Sequence, residues 1–220
     1  MSVAPVTLLV VAKAPEPGRA KTRLATTVGD LVAAEIAAAA LLDTLDAVAA
    51  APAARRVVAM TGDLSAAAGA GDIRERLRSF TVIPQRGDDF ADRLANAHAD
   101  ASDGYPVVQI GMDTPQVTAD LLTDCARLLQ EAPAVLGPAV DGGWWVLGLR
   151  SPAAAECLRT VPMSQPDTGL LTYRALHDLG IGVYPAPQLA DFDVADDVAA
   201  VREACGPASR FAKVTRAAGL

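Results

Sequence analysis

Residues 6–12 read VTLLVVA and residues 13–24 read KAPEPGRAKTRL. The first stretch is an unbroken apolar run rich in β-branched side chains, the pattern of a parallel strand buried on both faces. The second is a loop stiffened by Pro15, Pro17 and Gly18, and it carries Lys13, Arg19, Lys21 and Arg23. A buried strand that runs directly into a charged loop predicts an α/β sheet with its site at the carboxyl edge.

The same alternation continues outward from that strand. Further strands are expected at 56–61, 80–84, 106–111, 134–138, 144–149 and 182–185. Helices are expected at 31–51, 64–78, 88–101, 167–179 and 195–205, and another opens at Ser151-Pro152. Thr118 reads as the N-cap of a helix whose apolar stripe is Leu121, Leu122, Cys125, Leu128 and Leu129. Residues 206–220 read as a polar, loosely held tail, which leaves 1–205 as a single domain.

The formal net charge is −7, from 19 Lys and Arg against 26 Asp and Glu. A sequence-independent nucleic-acid binder needs a basic excess, so DNA, RNA and anionic membranes are disfavoured as partners. No apolar stretch reaches the roughly 18 residues of a membrane span. Residues 1–12 lack a basic n-region, so a secretory leader is not expected and the predicted location is cytoplasmic. Cys125, Cys157 and Cys205 form no C-x-x-C pair, and Cys125 reads as a small hydrophobe. His98 and His177 lack metal-ligand spacing.

Four segments carry chemistry. Loop 13–23 combines turn-freed N–H groups with fixed positive charge, as a phosphate cradle requires, and it is not a Walker loop. In Gly111-Met112-Asp113-Thr114-Pro115, an aspartate follows a buried strand, where it can hold a hard cation or simply start a helix. In Asp141-Gly142-Gly143-Trp144-Trp145, the glycine pair suits a tight hairpin or lets an acceptor approach the backbone. The two tryptophans point to opposite faces, and core packing is the simpler reading for each alone. Asp191 and Asp193 share one face of an extended segment, and two carboxylates that close call for a cation. Their other reading is an acidic helix start together with Asp196 and Asp197.

Taken in order, KAPEPGRAKTRL, GMDTP, LGPAVDGGWWVLGL and DFDVADDV resemble the GT-A-like nucleotide-diphospho-sugar transferases. Within them the chain is similar to the radical-SAM/selenodomain-associated transferases, a branch of bacterial GT-A glycosyltransferases, over residues 6–201. The resemblance implies a Rossmann-like GT-A fold, three-layer α/β/α with a mostly parallel mixed sheet. It implies a nucleotide side made by Ala12, Lys13, Pro17, Gly18, Arg19, Lys21, Arg23, Gln85, Gly111 and Met112, with Lys21 foremost. Asp113, completed by Asp191 or Asp193, would hold Mg²⁺ or Mn²⁺. Gly142, Gly143, Trp144 and Ser164 would face a small-molecule acceptor, with Asp141 as the first candidate for a catalytic base beside Lys21. The branch usually has tyrosine where Trp144 stands and a Trp-Ser/Gly-Thr stretch at Met163-Ser164-Gln165, so the departures fall on the acceptor side. The implied activity is glycosyl transfer from a nucleotide-sugar. Nucleotidyl transfer to a sugar phosphate or phosphorylated acid is the alternative, and a non-catalytic nucleotide-binding domain is the third reading.

Overall fold

The computed structural model describes residues 4–220, so Met1–Val3 lie outside the described residues. The sheet has seven strands in the order β3-β2-β1-β4-β6-β5-β7. β1 (Ala4–Lys13), β2 (Ala53–Thr61), β3 (Thr81–Pro84) and β4 (Val107–Ile110) pair in parallel. β6 (Trp144–Leu149) runs against both β4 and β5 (Ala134–Pro138), and β7 (Val183–Pro185) lies parallel to β5. The sheet is therefore mixed but mostly parallel, with β6 the reversed strand.

Alternation along β1 supplies both cores. Leu8, Val10 and Ala12 pack in one apolar cluster, Leu9 and Val11 in another. The first lies under α2 (Asp30–Ala50), α3 (Ala70–Leu77) and α5 (Ala119–Glu131). The second lies under α4 (Phe90–Ala101), a 3₁₀ segment at Pro152–Thr160 and α6 (Thr168–Asp178). The result is three layers, α/β/α. α2 is apolar nearly all round because it is covered on several sides. A third cluster joins α1 (Thr22–Val28), α2, α7 (Ala195–Ala204) and α8 (Arg210–Ala217) through Leu24, Ile36, Phe192, Val198 and Phe211.

Several expectations shift. The loop after β1 turns helical at Thr22. The helix expected over 64–78 is confined to Ala70–Leu77, because Gly69 takes the left-handed conformation at φ 63°. The helix after Pro152 is 3₁₀, not α. The expected loose tail is instead helix α8. Its N-terminus is tied to α2 by Asp43, whose carboxylate accepts from Ser209 Oγ at 2.7 Å and from Phe211 N at 3.0 Å. Arg210 pairs with Asp46 at 2.6 Å.

Cys125 is buried, and burial pushes its thiol up to about 12, so it is inert packing. His98 is fully buried, with Nδ1 3.2 Å from Gln109 Oε1, and burial pushes its pKa down to about 4. No helix among the described residues is long and apolar enough to cross a membrane.

Candidate functional site

The cationic loop is clamped to the end of β2. Ala14 N donates to Thr61 O at 2.8 Å, Ala68 N to Pro15 O at 3.0 Å, and Asp63 N to the Glu16 carboxylate at 2.9 Å. The loop ends on Lys21, which takes left-handed backbone angles, φ 48° and ψ 48°. Among the described residues, Lys21 and Ser164 (φ 58°) are the non-glycine residues with positive φ, and both line one pocket. Such conformations persist only where surrounding contacts hold them, and they concentrate at functional sites.

Those contacts are visible for Lys21. Its ammonium lies 2.9 Å from Asp113 Oδ2 and 3.9 Å from Asp193 Oδ1. It also donates to Phe192 O at 2.5 Å and sits 4.3 Å from the Phe192 ring centroid. Arg23 pairs with Asp193 at 2.8 Å. The loop after β1, the turn after β4 and the DFD segment therefore meet at one point. Gln116, donating to Ala190 O, ties the last two together. Phe192 points into the core while its two flanking aspartates line the pocket, as alternation on an extended segment requires.

The pocket measures about 760 Å³ and opens at the carboxyl edge of the sheet. Ala12, Lys13, Arg19, Lys21, Arg23, Gln85, Gly111, Met112, Asp113, Asp141, Gly143, Trp144, Ser164, Asp191 and Asp193 all line it. Gln85 does so while its amide donates to Ala12 O at 2.8 Å and Ala59 O at 2.9 Å, bracing β1 against β2.

Pro17, Gly18 and Gly142 fall outside the lining. Pro17 and Gly18 shape the turn, with Gly18 at φ 73°. At Gly142 the expectation of substrate approach gives way to a packing reason. A Cβ there would stand 1.8 Å from Pro166 O, and Gly169 N donates to Gly142 O at 2.8 Å. The glycine admits the 165–169 segment of the protein itself. Gly143 N donates to Asp141 Oδ1 at 2.8 Å, which fixes that carboxylate in its turn. Trp145 is buried and donates to Pro187 O at 2.8 Å, whereas Trp144 is half-buried at the pocket.

Asp113, Asp191 and Asp193 share the pocket, but among the described residues no group of three His, Cys, Asp or Glu is drawn together as a ligand set. The cation between Asp113 and Asp193 is the Lys21 ammonium. Nor is Asp193 a helix cap: its own N–H donates to Asp197, which closes the start of α7.

Asp191 has no ion pair of its own among the described residues, though Lys21 lies close enough to act on it. Burial first, then the neighbouring Asp141 carboxylate, raises its pKa to about 6. A carboxylate raised in the folded state stabilises the fold when protonated, and that contribution is lost as pH rises from the unfolded value of about 4 towards 6. Asp191→Asn should therefore be more stable than the parent above pH 6 and indistinguishable from it near pH 4. Paired denaturation curves across that range check this, and a pH-independent difference refutes it. The pairing isolates Asp191 from His98, whose lowered pKa acts in the opposite direction over the same range.

Sequence reasoning missed Phe90, Arg93, Gln109 and Thr168, all of which line the pocket. The available signal was positional: α4 begins just after β3, at the same carboxyl edge. Thr168 Oγ1 accepts from Gln165 N at 3.0 Å and donates to Pro162 O at 2.8 Å, which holds the strained Ser164 loop.

The fold has close counterparts. A crystal structure from Desulfovibrio desulfuricans G20, described as a "putative nucleotide-diphospho-sugar transferase", is 26% identical with a TM-score of 0.83, covering 99% of this chain and 95% of that one. Rv0371c from Mycobacterium tuberculosis H37Rv, in complex with manganese, is 19% identical with a TM-score of 0.53, over 90% of this chain and 97% of that one. A CMP:2-keto-3-deoxy-manno-octonic acid synthetase complexed with CTP is 10% identical with a TM-score of 0.57, over 90% and 97%. The last two show the shared Rossmann-type fold alone. None of the curated proteins matches this chain. A family model does match, over residues 44–165, more than half of the 220. The chain therefore belongs to the family described as "Uncharacterized protein conserved in bacteria (DUF2064)".

Proposed function

We propose that this protein is a transferase with a nucleotide donor, moving a glycosyl group from a nucleotide-diphospho-sugar to a small acceptor. The observation that carries the reading is the 2.9 Å contact between Lys21 and Asp113. It brings the cationic loop after β1 and the acid after β4 into one pocket, of a size that suits a nucleotide. The description of the 26%-identical D. desulfuricans protein supports the same reading, as does the resemblance to the radical-SAM/selenodomain-associated branch.

The departing nucleoside diphosphate gathers negative charge, and preorganised cations lower its cost. Lys13, Arg19 and Lys21, which line the pocket, would do that work. Arg23 is committed to Asp193. Asp141, fixed by Gly143 N and lining the pocket beside Trp144, is the group positioned to take the acceptor's proton. The hard oxygen donors Asp113, Asp191 and Asp193 fit Mg²⁺ or Mn²⁺ chemically, and the pKa of Asp191 is raised by burial and by the nearby Asp141 and Asp113 carboxylates, with Lys21 only partly offsetting them. A bound ion would supply further neutralisation of the phosphates, and Lys21 would have to yield part of its hold on Asp113.

One observation favours nucleotidyl transfer as a second reading. Four cations on a single loop suit a triphosphate, which carries more charge than a diphosphate ester. Thermal unfolding with Mg²⁺ plus either nucleoside triphosphates or nucleotide-sugars separates the two. Glycosyl transfer predicts the larger stabilisation by a nucleotide-sugar, and nucleotidyl transfer by a triphosphate. A Tm unmoved by both classes refutes the transferase reading.

A further inference from the structure

We propose that the α4 side of this pocket is an anion subsite, in which Arg93 and Gln109 receive a phosphate or carboxylate carried by the acceptor. Only the word acceptor rests on the transferase reading; the anion site stands on its own geometry.

Arg93 lies in the first turn of α4 and lines the pocket, and its Nε is buried with no partner among the described residues. Its guanidinium carbon stands 5.7 Å from the Phe90 ring centroid. Two nearby acids are committed elsewhere. Asp89 caps α4 by accepting from Asp92 N at 2.8 Å, and Asp92 pairs with Arg159 at 2.8 Å. Gln109, on β4, is only 1% exposed and lines the same pocket. His98 is neutral at neutral pH, and with its proton on Nδ1 it donates to Gln109 Oε1 at 3.2 Å. The Gln109 amide nitrogen is then left buried without an acceptor.

Two side chains that line one pocket each carry a buried donor unpaired among the described residues, and such donors call for a ligand that accepts, because buried polar groups in folded proteins are otherwise paired. A guanidinium fork and an amide N–H together match an anionic oxygen pair better than a neutral hydroxyl. Among the described residues, Arg93 is also the one lining cation that does not come from the segment after β1. The pocket thus has two cationic poles, one on the loop and one on α4, and α4 covers the sheet face opposite α2. Donor phosphates at the first pole leave the second for a separate anion. The acceptor class this selects is a phosphorylated or carboxylated small molecule, not a neutral sugar.

The test uses the full chain. Wild-type crystals soaked in tungstate, a phosphate mimic, should show an anomalous peak within hydrogen-bonding reach of the Arg93 guanidinium. Arg93→Gln should lose that peak and keep any peak at the loop. No peak beside Arg93 in wild-type crystals, or its survival in Arg93→Gln, overturns the proposal. Calorimetric titration with inorganic phosphate and with acetate tells which anion the subsite prefers. The preferred anion should bind at least tenfold more weakly to Arg93→Gln, with Arg93→Lys between the two. If Arg93→Gln unfolds, Arg93→Lys carries the comparison, since it keeps the charge and removes the fork. Nucleotide-sugar affinity with Mg²⁺, measured in parallel, should stay within twofold in both variants. Arg93-dependent anion binding without nucleotide binding would sink the transferase reading and leave the subsite standing. Nucleotide binding with Arg93-independent anion binding would do the reverse.

Discussion

Phe211→Ala is expected to destabilise the fold by about 3–5 kcal/mol, the usual cost of emptying a buried phenylalanine site. It should also weaken nucleotide binding although Phe211 does not itself line the pocket. Phe211 is fully buried on α8, with its ring centroid 4.7 Å from that of Phe192. Phe192 in turn carries the Lys21 ammonium, through its carbonyl and over its ring, and separates Asp191 from Asp193. The C-terminal helix is therefore a buttress: it holds Phe192, and Phe192 holds the lysine and both aspartates. Chemical denaturation and nucleotide titration of the variant check the two effects. Lys213→Ala, an exposed position on the same helix, is the control and should stay within about 0.5 kcal/mol of the parent. A loss below about 1 kcal/mol for Phe211→Ala would mean that α8 is a passive appendage.

The role of α8 shows where reading the sequence stops. β1 was legible because its pattern is local: an unbroken β-branched run admits few other structures. The meeting of the Lys13–Arg23 loop with Asp113 was legible because parallel strands put successive loops at one edge, whatever the details of packing. Phe211 was not legible, because what it packs against, Phe192 and the helix α2, lies in other elements and the stretch around it is short and polar. The capping signal at Ser209, which accepts from Ala212 N at 3.0 Å, was there to be read. Gly142 illustrates a different limit. Its positive φ was foreseeable from an Asp-Gly-Gly turn, but whether a glycine makes room for ligand or for protein depends on what comes to lie against it, here Pro166. Arg93 is a third case. A helical arginine near Asp89 and Asp92 reads as a surface residue in an ion-pair stripe, and only the fold shows those two acids turned elsewhere.

Lys21→Met should move two binding equilibria in opposite directions. Methionine keeps much of the side-chain length and the contact with Phe192 but removes the charge. Nucleotide affinity should fall by about tenfold to a hundredfold, since a charge-assisted phosphate contact is worth roughly 1.5–3 kcal/mol. Binding of Mn²⁺ in the absence of nucleotide should become tighter. In the parent the ammonium lies 2.9 Å from Asp113 and 3.9 Å from Asp193, so any divalent ion competes with it for those carboxylates. Without it, Asp113 and Asp193 join Asp191 and Asp141 as acids in the same pocket, with less positive charge among them. A cation is the natural relief for such a cluster. Calorimetric titration with a nucleotide-sugar reads the first effect, and electron paramagnetic resonance of free Mn²⁺ reads the second. A purely structural lysine would weaken both by loosening the fold, and a lysine that recruits phosphate alone would leave Mn²⁺ binding unchanged. Only a lysine that serves as the internal counter-ion of the aspartate cluster and also meets the phosphates separates the two signs.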